Sequence, residues 1–234
     1  MVFMEKPQEF RAKVSDVIKL NEKYNLIHLE LIEPFRIKFQ AGQYISLEIG
    51  RGERRAYSIA SAPSEDHEVE LCVDVSGQGK GTMFLNSLKP GTEVRFLGPL
   101  GRLIIGQEKK ILLGATGCGI APFKSMLLDL LGDKKDQREI WLVWGLRKPE
   151  DMFWEEEIRL LNATYPNFHY RLILSQPPEH WPLAAGHINE EVGVMELGPD
   201  WGVYLCGSKE MVDELKEIVK NKGVPDTQIH FEKF

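Results

Sequence analysis

The hydrophobic pattern of this chain changes period near residue 105, and that change limits what the chain can fold into. Before it, short runs rich in branched and aromatic residues recur between turn signals: Arg11–Lys19, Leu26–Leu31, Tyr44–Ile49, Arg55–Ala60, Glu68–Val73 and Thr92–Leu97. In Tyr44–Ile49, Ile45, Leu47 and Ile49 alternate with Ser46 and Glu48, the two-residue period of a strand with one buried face. Six short strands separated by turns such as Gly50-Arg51-Gly52 and Lys89-Pro90-Gly91 predict a small antiparallel β-barrel, with a helical turn or two at Thr82–Leu88. After the change, strands alternate with helices. Strands are expected at Ile111–Leu113, Ile140–Trp144, His169–Leu174, Gly202–Cys206 and Gln228–Phe231. Helices are expected at Phe123–Leu131, Asp151–Asn162 and Lys209–Lys222. In the first of these, Phe123, Met126, Leu127, Leu130 and Leu131 fall on one helical face. Strand–helix alternation predicts a parallel, Rossmann-like α/β sheet. The expected domains are residues 1–104 and 105–234.

Composition sets the class. The chain has 234 residues, 43% hydrophobic and 27% charged, with 29 Lys and Arg against 35 Asp and Glu. The net charge of −6 argues against nucleic-acid binding, which needs a basic stripe to neutralise phosphates. No apolar run reaches the roughly 18–20 residues of a membrane span, and Met1–Pro7 does not read as a secretory leader. Cys72, Cys118 and Cys206 are far apart, without metal-ligand spacing, and the histidines are scattered, so neither a metal site nor a disulfide framework is expected. A reducing cytoplasm is the expected home.

Three stretches carry candidate chemistry. Thr116-Gly117-Cys118-Gly119-Ile120-Ala121-Pro122 follows a strand and opens a helix. Glycines there let a pyrophosphate approach free N–H groups, although the same turn also occurs with no ligand. It departs from the common dinucleotide fingerprint: Pro122 replaces the third glycine, and Gly145-Leu146-Arg147 stands where an acidic residue would grip the adenine ribose. Gly77-Gln78-Gly79-Lys80-Gly81-Thr82 is a second turn able to present N–H groups, with Lys80 beside it, or else a plain surface loop. In Arg55-Ala56-Tyr57-Ser58, alternation puts Arg55 and Tyr57 on one face and Ala56 and Ser58 on the other. An arginine can clamp a phosphate and a tyrosine can stack on a flat ring, while a surface arginine beside a packed tyrosine is the plainer reading. Trp141 and Trp144 read as packing, Asp151–Arg159 as an exposed helix face, and His187 as a residue at a helix start that could touch a phosphate.

In order, Arg55-Ala-Tyr-Ser-Ile-Ala-Ser61, Gly79-Lys-Gly-Thr82, Gly98-Pro-Leu-Gly101, Gly117-Cys-Gly-Ile-Ala-Pro122 and Cys206-Gly-Ser-Lys-Glu-Met211 resemble the ferredoxin–NADP reductase superfamily. The resemblance implies a flavin-binding β-barrel followed by a nicotinamide-nucleotide domain. By it, Arg55 binds the flavin phosphate, Tyr57 stacks on the isoalloxazine with Ala56 beside it, and Ser58 approaches the hydride-accepting nitrogen. Backbone groups of Cys72 and Val73 lie along the flavin, and Gly79, Lys80, Gly81 and Thr82 hold its pyrophosphate. Thr116, Gly117, Cys118, Gly119 and Pro122 line the nicotinamide nucleotide, and Cys206, Gly207 and Met211 flank the nicotinamide. Phe231-Glu232-Lys233-Phe234 resembles the ending of plant-type members, with Phe234 covering the flavin and Glu232 as a carboxylate near its edge. The resemblance thus implies Ser58, Cys206, Glu232 and Phe234 as the catalytic set, without covalent catalysis by the thiol.

In this family the segment after the third strand of the second domain handles the adenosine end. Here it begins Ser175-Gln176, followed by Glu179, and no Lys or Arg occurs from Leu172 to Asp200. A 2′-phosphate would find no charge-assisted partner there, so NADH is expected over NADPH, with Arg147 and Arg171 as the cations able to reverse that. Bound FAD is the expected cofactor. No cysteine cluster accompanies it, so electrons are expected to leave to an external acceptor: a ferredoxin, the Fe–S protein of an oxygenase, or free flavin used as a substrate. A non-catalytic flavin- and nucleotide-binding subunit is the alternative of a different class. Arg51, Arg54, Arg55 and Lys80 suggest a basic patch for an acidic partner.

Overall fold

The computed structural model describes residues 6–234; residues 1–5, which include the start of the segment read above for a leader, lie outside them. Contacts divide the chain into two units. One runs to Ile104 and also takes Ala121–Lys134; the other comprises Ile105–Ile120 and Lys135–Phe234.

The first unit is built on six antiparallel strands: β1 (Gln8–Lys19), β2 (Tyr24–Glu33), β3 (Tyr44–Gly50), β4 (Glu53–Ser58), β5 (Glu68–Asp74) and β6 (Glu93–Leu100). Their order is β4-β3-β6-β1-β2-β5. The sheet curls until the chain leaving β4 meets its far edge: Ile59 bridges Leu71, and the Ala60 N–H donates to the Glu70 carbonyl at 2.8 Å. The alternation in Tyr44–Ile49 holds for Ile45 and Leu47, which are fully buried while Ser46 and Glu48 are only partly so, but ends at Ile49, which is only partly buried. The core inside the curl includes Phe10 stacked on Phe96, Ile27, Leu29 and Val69. The short helix is α1 (Lys80–Ser87), anchored by Leu85.

The segment 121–134 starts as α2 (Ala121–Leu127) and continues as a π-helical turn, Leu128–Asp133. The single regular helix expected over Phe123–Leu131 is therefore corrected: the Lys134 N–H reaches back five residues to the Asp129 carbonyl, and Gly132 lies within the widened turn.

The second unit has a wholly parallel sheet of β7 (Lys110–Thr116), β8 (Glu139–Leu146), β9 (Phe168–Leu174), β10 (Ala184–Ala185), β11 (Trp201–Gly207) and β12 (Ile229–Lys233), ordered β10-β9-β8-β7-β11-β12. β7 and β11 are buried along nearly their whole length, as central strands of a parallel sheet must be. The order reverses between β7 and β11, which opens a crevice at the carboxyl ends of those two strands. Two sequence expectations need correction. The helix expected from Asp151 is α3 (Glu155–Thr164). Pro149–Asp151 forms its own tight turn, in which the Asp151 carboxylate accepts the Lys148 N–H, and Trp154 at φ 54° separates it from the helix. Between β9 and β11 the chain also makes α4 (Ile188–Val194), the crossover that two parallel strands require. Its sequence signal was thin because Ile188 and Val192 are its only buried residues. α4 and α5 (Lys209–Asn221) share one core with Leu112, Val143, Val203 and Leu205.

Candidate active site

In the first unit, hairpin β3–β4 presents Arg55 exposed and Tyr57 half-buried against the barrel core. The turn leading into α1 closes directly on them. A Cβ at Gly81 would stand 2.9 Å from the Tyr57 hydroxyl and 3.5 Å from Arg55 Cγ, so the backbone there lies against both side chains. Nothing lies within 4 Å of a Cβ at Gly79. A guanidinium, a phenol ring and the backbone of a glycine turn thus converge, a donor set that suits a flat heterocycle carrying phosphate. Thr82 turns toward exposed Gly77, its Oγ1 3.1 Å from where a Gly77 Cβ would be. The bridge between Ile59 and Leu71 sets Ser58 opposite Cys72 by register. Cys72 and Val73 are buried on β5, an edge strand of the sheet. Ala56 is exposed on β4.

The expected basic patch is largely neutralised. Arg54 donates to both oxygens of Glu9, at 2.8 and 3.0 Å, and Lys80 is held by Glu53 at 2.5 Å. Lys80 therefore ties the start of α1 to β4, and its pairing holds the Glu53 carboxyl below the usual range. Arg55 turns one nitrogen onto the Arg54 carbonyl at 2.8 Å. Arg51 instead joins Arg11, Arg95 and Phe84 around a cleft of about 410 Å³ that also admits Glu48 and Glu93.

In the second unit, the switch-point crevice gathers most of the nucleotide residues read from the sequence. β7 ends at Thr116 and runs into the 3₁₀ turn Gly117–Ile120; β11 ends at Cys206-Gly207. The two ends nearly touch: a Cβ at Gly119 would lie 2.2 Å from the Cys206 carbonyl oxygen, and one at Gly207 2.2 Å from Thr116 Oγ1. The Ser208 N–H donates to Thr116 Oγ1 at 3.2 Å, and Ser208 Oγ accepts the Met211 N–H at 3.3 Å as the N-cap of α5. The indole N–H of Trp144 donates to the Gly117 carbonyl at 3.0 Å and fixes the turn from beneath. Trp144 and Ser208 were not among the sequence-derived site residues. A serine immediately before an amphipathic helix is a legible N-cap; the reach of Trp144 across to β7 leaves no local trace.

Parallel pairing of β11 with β12 puts Glu232 beside Cys206, and the Phe234 N–H donates to the Gly207 carbonyl at 3.2 Å. Burial raises the Glu232 carboxyl to about 7. Burial, then the nearby Glu232 and Cys118, push the Cys206 thiol well up, which favours its neutral form. The Phe234 ring is exposed. At the ends of β8 and β9, the Gln176 N–H donates to the Arg147 carbonyl at 2.8 Å and the Ser175 N–H to the Leu146 carbonyl at 3.0 Å, which brings Arg147, Ser175 and Gln176 together. Arg171 is engaged by Glu191 at 3.3 Å and lies over the Trp141 ring. Pro122 is buried in the first turn of α2, and His187 precedes α4 without capping it.

Residues 11–105 match the model of an oxidoreductase FAD-binding domain, and residues 113–217 that of an oxidoreductase NAD-binding domain. The chain is 31% identical over 231 residues to the CDP-6-deoxy-L-threo-D-glycero-4-hexulose-3-dehydrase reductase of Yersinia pestis, covering 96% of this chain and 68% of that protein. The chain belongs to the ferredoxin–NADP reductase superfamily. It is also 29% identical to ferredoxin–NADP reductase B of Sorangium cellulosum, covering 97% of this chain and 98% of that one. A cytochrome P450 reductase structure from Amycolatopsis superposes with a TM-score of 0.89 at 27% identity, covering 99% of this chain and 71% of that one. The chain spans about two thirds of the length of several curated relatives that it matches. The antiparallel barrel and parallel nucleotide sheet expected from the sequence are the two folds of this family.

Proposed function

We propose that the chain is an NADH-dependent flavoprotein reductase that binds FAD and passes electrons to an external acceptor such as a ferredoxin or an oxygenase Fe–S protein. The observation that carries this reading is the closure of Gly81 on Tyr57 and Arg55, because it joins an anion clamp, a stacking ring and a glycine turn in one cradle. Bound FAD supplies the two-electron acceptor for hydride that can also release electrons one at a time. Around it, Arg55 and the Gly79–Thr82 turn hold phosphate, Tyr57 stacks, and Ser58 donates its hydroxyl at the ring edge. The crevice at Thr116–Gly119 and Cys206–Gly207 binds the nicotinamide nucleotide, with Pro122 ordering the start of α2 and Met211 backing Gly207. Cys206 orients the nicotinamide as a neutral thiol. Glu232 holds a proton near neutral pH, and Phe234, its ring exposed, is the aromatic that would cover a bound flavin.

For the adenosine end we read Ser175 and Gln176 as ribose contacts. Glu179 lies three residues beyond Gln176 and Arg171 is committed to Glu191, and both favour NADH as the donor; Arg147, joined to Gln176 by a backbone bond, is the cation that would favour NADPH. The acceptor is an acidic protein surface that meets Arg51 and Arg95 at the cleft on the barrel.

The test is an absorption spectrum of the purified protein, repeated anaerobically with NADH. A yellow protein whose bands near about 370 and 450 nm bleach supports the reading. Colourless protein that oxidises NADH only with added flavin replaces it with the free-flavin reductase reading, which the commitment of Lys80 to Glu53 favours. A bound flavin that NADH never bleaches makes the chain a non-catalytic binding subunit.

A further inference from the structure

We propose that Lys124 and Glu70 are positioning residues for nucleotide binding: their ion pair clamps the first turn of α2 onto β5 and thereby holds the Gly117–Ile120 turn in its ligand-accepting form. This rests on reading that turn as the nucleotide site. The turn ends at Ile120 and α2 begins at Ala121, so no slack separates them. A helix advances only about 1.5 Å per residue, and a shift of its first turn passes directly into the backbone it grows from.

Two contacts fix α2 on the barrel. The first is apolar. Gly42, at φ +97°, leaves room where a Cβ would meet the Leu103 carbonyl oxygen at 2.0 Å and Met126 Cε at 2.3 Å, so Met126 seats directly on the backbone. Such a contact sets depth but not direction, because dispersion and apolar burial are non-directional. The second supplies direction. Lys124 Nζ lies 3.3 Å from Glu70 Oε2, with both side chains 16% exposed. Lys124 is the only charged residue of α2, and the other six are all buried.

Glu70 is a rigid anchor. Its N–H donates to the buried Ser61 hydroxyl at 3.2 Å, its carbonyl accepts the Ala60 N–H at 2.8 Å, and His28 Nδ1 lies 3.9 Å from its carboxylate. His28 is held in turn by Glu68 at 2.9 Å, and Glu68 by the Ser15 hydroxyl at 2.9 Å. A half-buried ion pair adds little net stability over an apolar pair of similar size. Its distinct contribution is a fixed geometry, here at the one strand of the barrel whose next residues, Cys72 and Val73, are read as flavin contacts.

The experiment compares Lys124→Met, Glu70→Gln, Lys124→Arg and the swap Glu70→Lys/Lys124→Glu in the full chain. NAD⁺ affinity is read by calorimetry, and amide exchange across 117–127 is read without ligand. Lys124→Met and Glu70→Gln are expected to weaken NAD⁺ binding about tenfold, on the scale of one lost charge-assisted contact. They should also speed exchange in 117–127 while leaving exchange in β7 and β11 unchanged. Lys124→Arg and the swap should restore both to within about threefold. Wild-type exchange in the single variants, or a loss that the swap and arginine variants share, overturns the proposal. If Lys124→Met does not fold, the near-isosteric Glu70→Gln decides. Wild-type protein that binds no NAD⁺ overturns the nucleotide reading, while the exchange data still report on the clamp.

Discussion

At the residue scale, the site depends on close backbone approaches and on one displaced proton equilibrium. A methyl at Gly119 would enter the Cys206 carbonyl oxygen, a backbone atom that cannot swing aside. Gly119→Ala should cost about 1–3 kcal/mol of stability and weaken nucleotide binding at least tenfold, measured by thermal unfolding and NAD⁺ titration. Glu232 is different in kind. Its carboxyl is raised from 4.5 to about 7 by burial, so the folded protein keeps a proton that the unfolded chain gives up. The stability tied to that proton is fully present below about pH 4.5 and is lost as pH rises toward about 7. Glu232→Gln should flatten stability over that window, seen as a pH-independent midpoint temperature, and should remove an activity limb near pH 7. An unchanged profile would show that Glu232 does not carry the proton.

At the element scale, the strands fix the site by what lies across from what. Trp144 on β8 reads as a core residue in sequence, and it is almost fully buried, yet its indole N–H holds the Gly117 carbonyl on the neighbouring strand's turn. Trp144→Phe should keep the packing and lose that bond, lowering stability by about 1 kcal/mol and raising KM for NADH several-fold with little change in kcat. At the ends of β8 and β9 one backbone bond brings Arg147 to Gln176, the pair we read at the adenosine end. Gln176→Arg should raise kcat/KM for NADPH about tenfold relative to NADH, the worth of one charge-assisted bond to a 2′-phosphate. An unchanged ratio would place the adenosine elsewhere. The strands were legible because period-two and fully apolar runs are local signals; of α4 only the helix start at His187 was legible, since two apolar anchors in a polar stretch give no period.

At the scale of the whole molecule, a chain of net charge −6 can attract an acidic partner only through a local basic feature. The four cations picked from sequence divide once folded: Arg54 and Lys80 are paired with Glu9 and Glu53, Arg55 lies against Gly81, and Arg51 shares a cleft with Arg11 and Arg95. Arg51→Ala with Arg95→Ala should raise KM for a protein acceptor several-fold at low salt and leave reduction of a small acceptor unchanged, since exposed charges steer encounter more than chemistry. Equal loss with both acceptors would place the cleft outside the docking path. Among the described residues, no helix is long and apolar enough to cross a membrane.

What the sequence determined by itself was the kind and order of the elements and the stretches that carry chemistry. Alternation, helical spacing and glycine turns act within a few residues, so Arg55-Ala-Tyr-Ser and Thr116–Gly119 could be found without a structure. Tertiary structure decided what each charge and each hydrogen-bonding group meets. Nothing local tells Lys80 that Glu53 will take its ammonium, or Glu70 that Lys124 will arrive 54 positions later. Nor does the sequence show that burial beside Cys206 will keep a proton on Glu232 near neutral pH. Such partnerships depend on distance and burial, and those are set only when strands remote in sequence pair and exclude water.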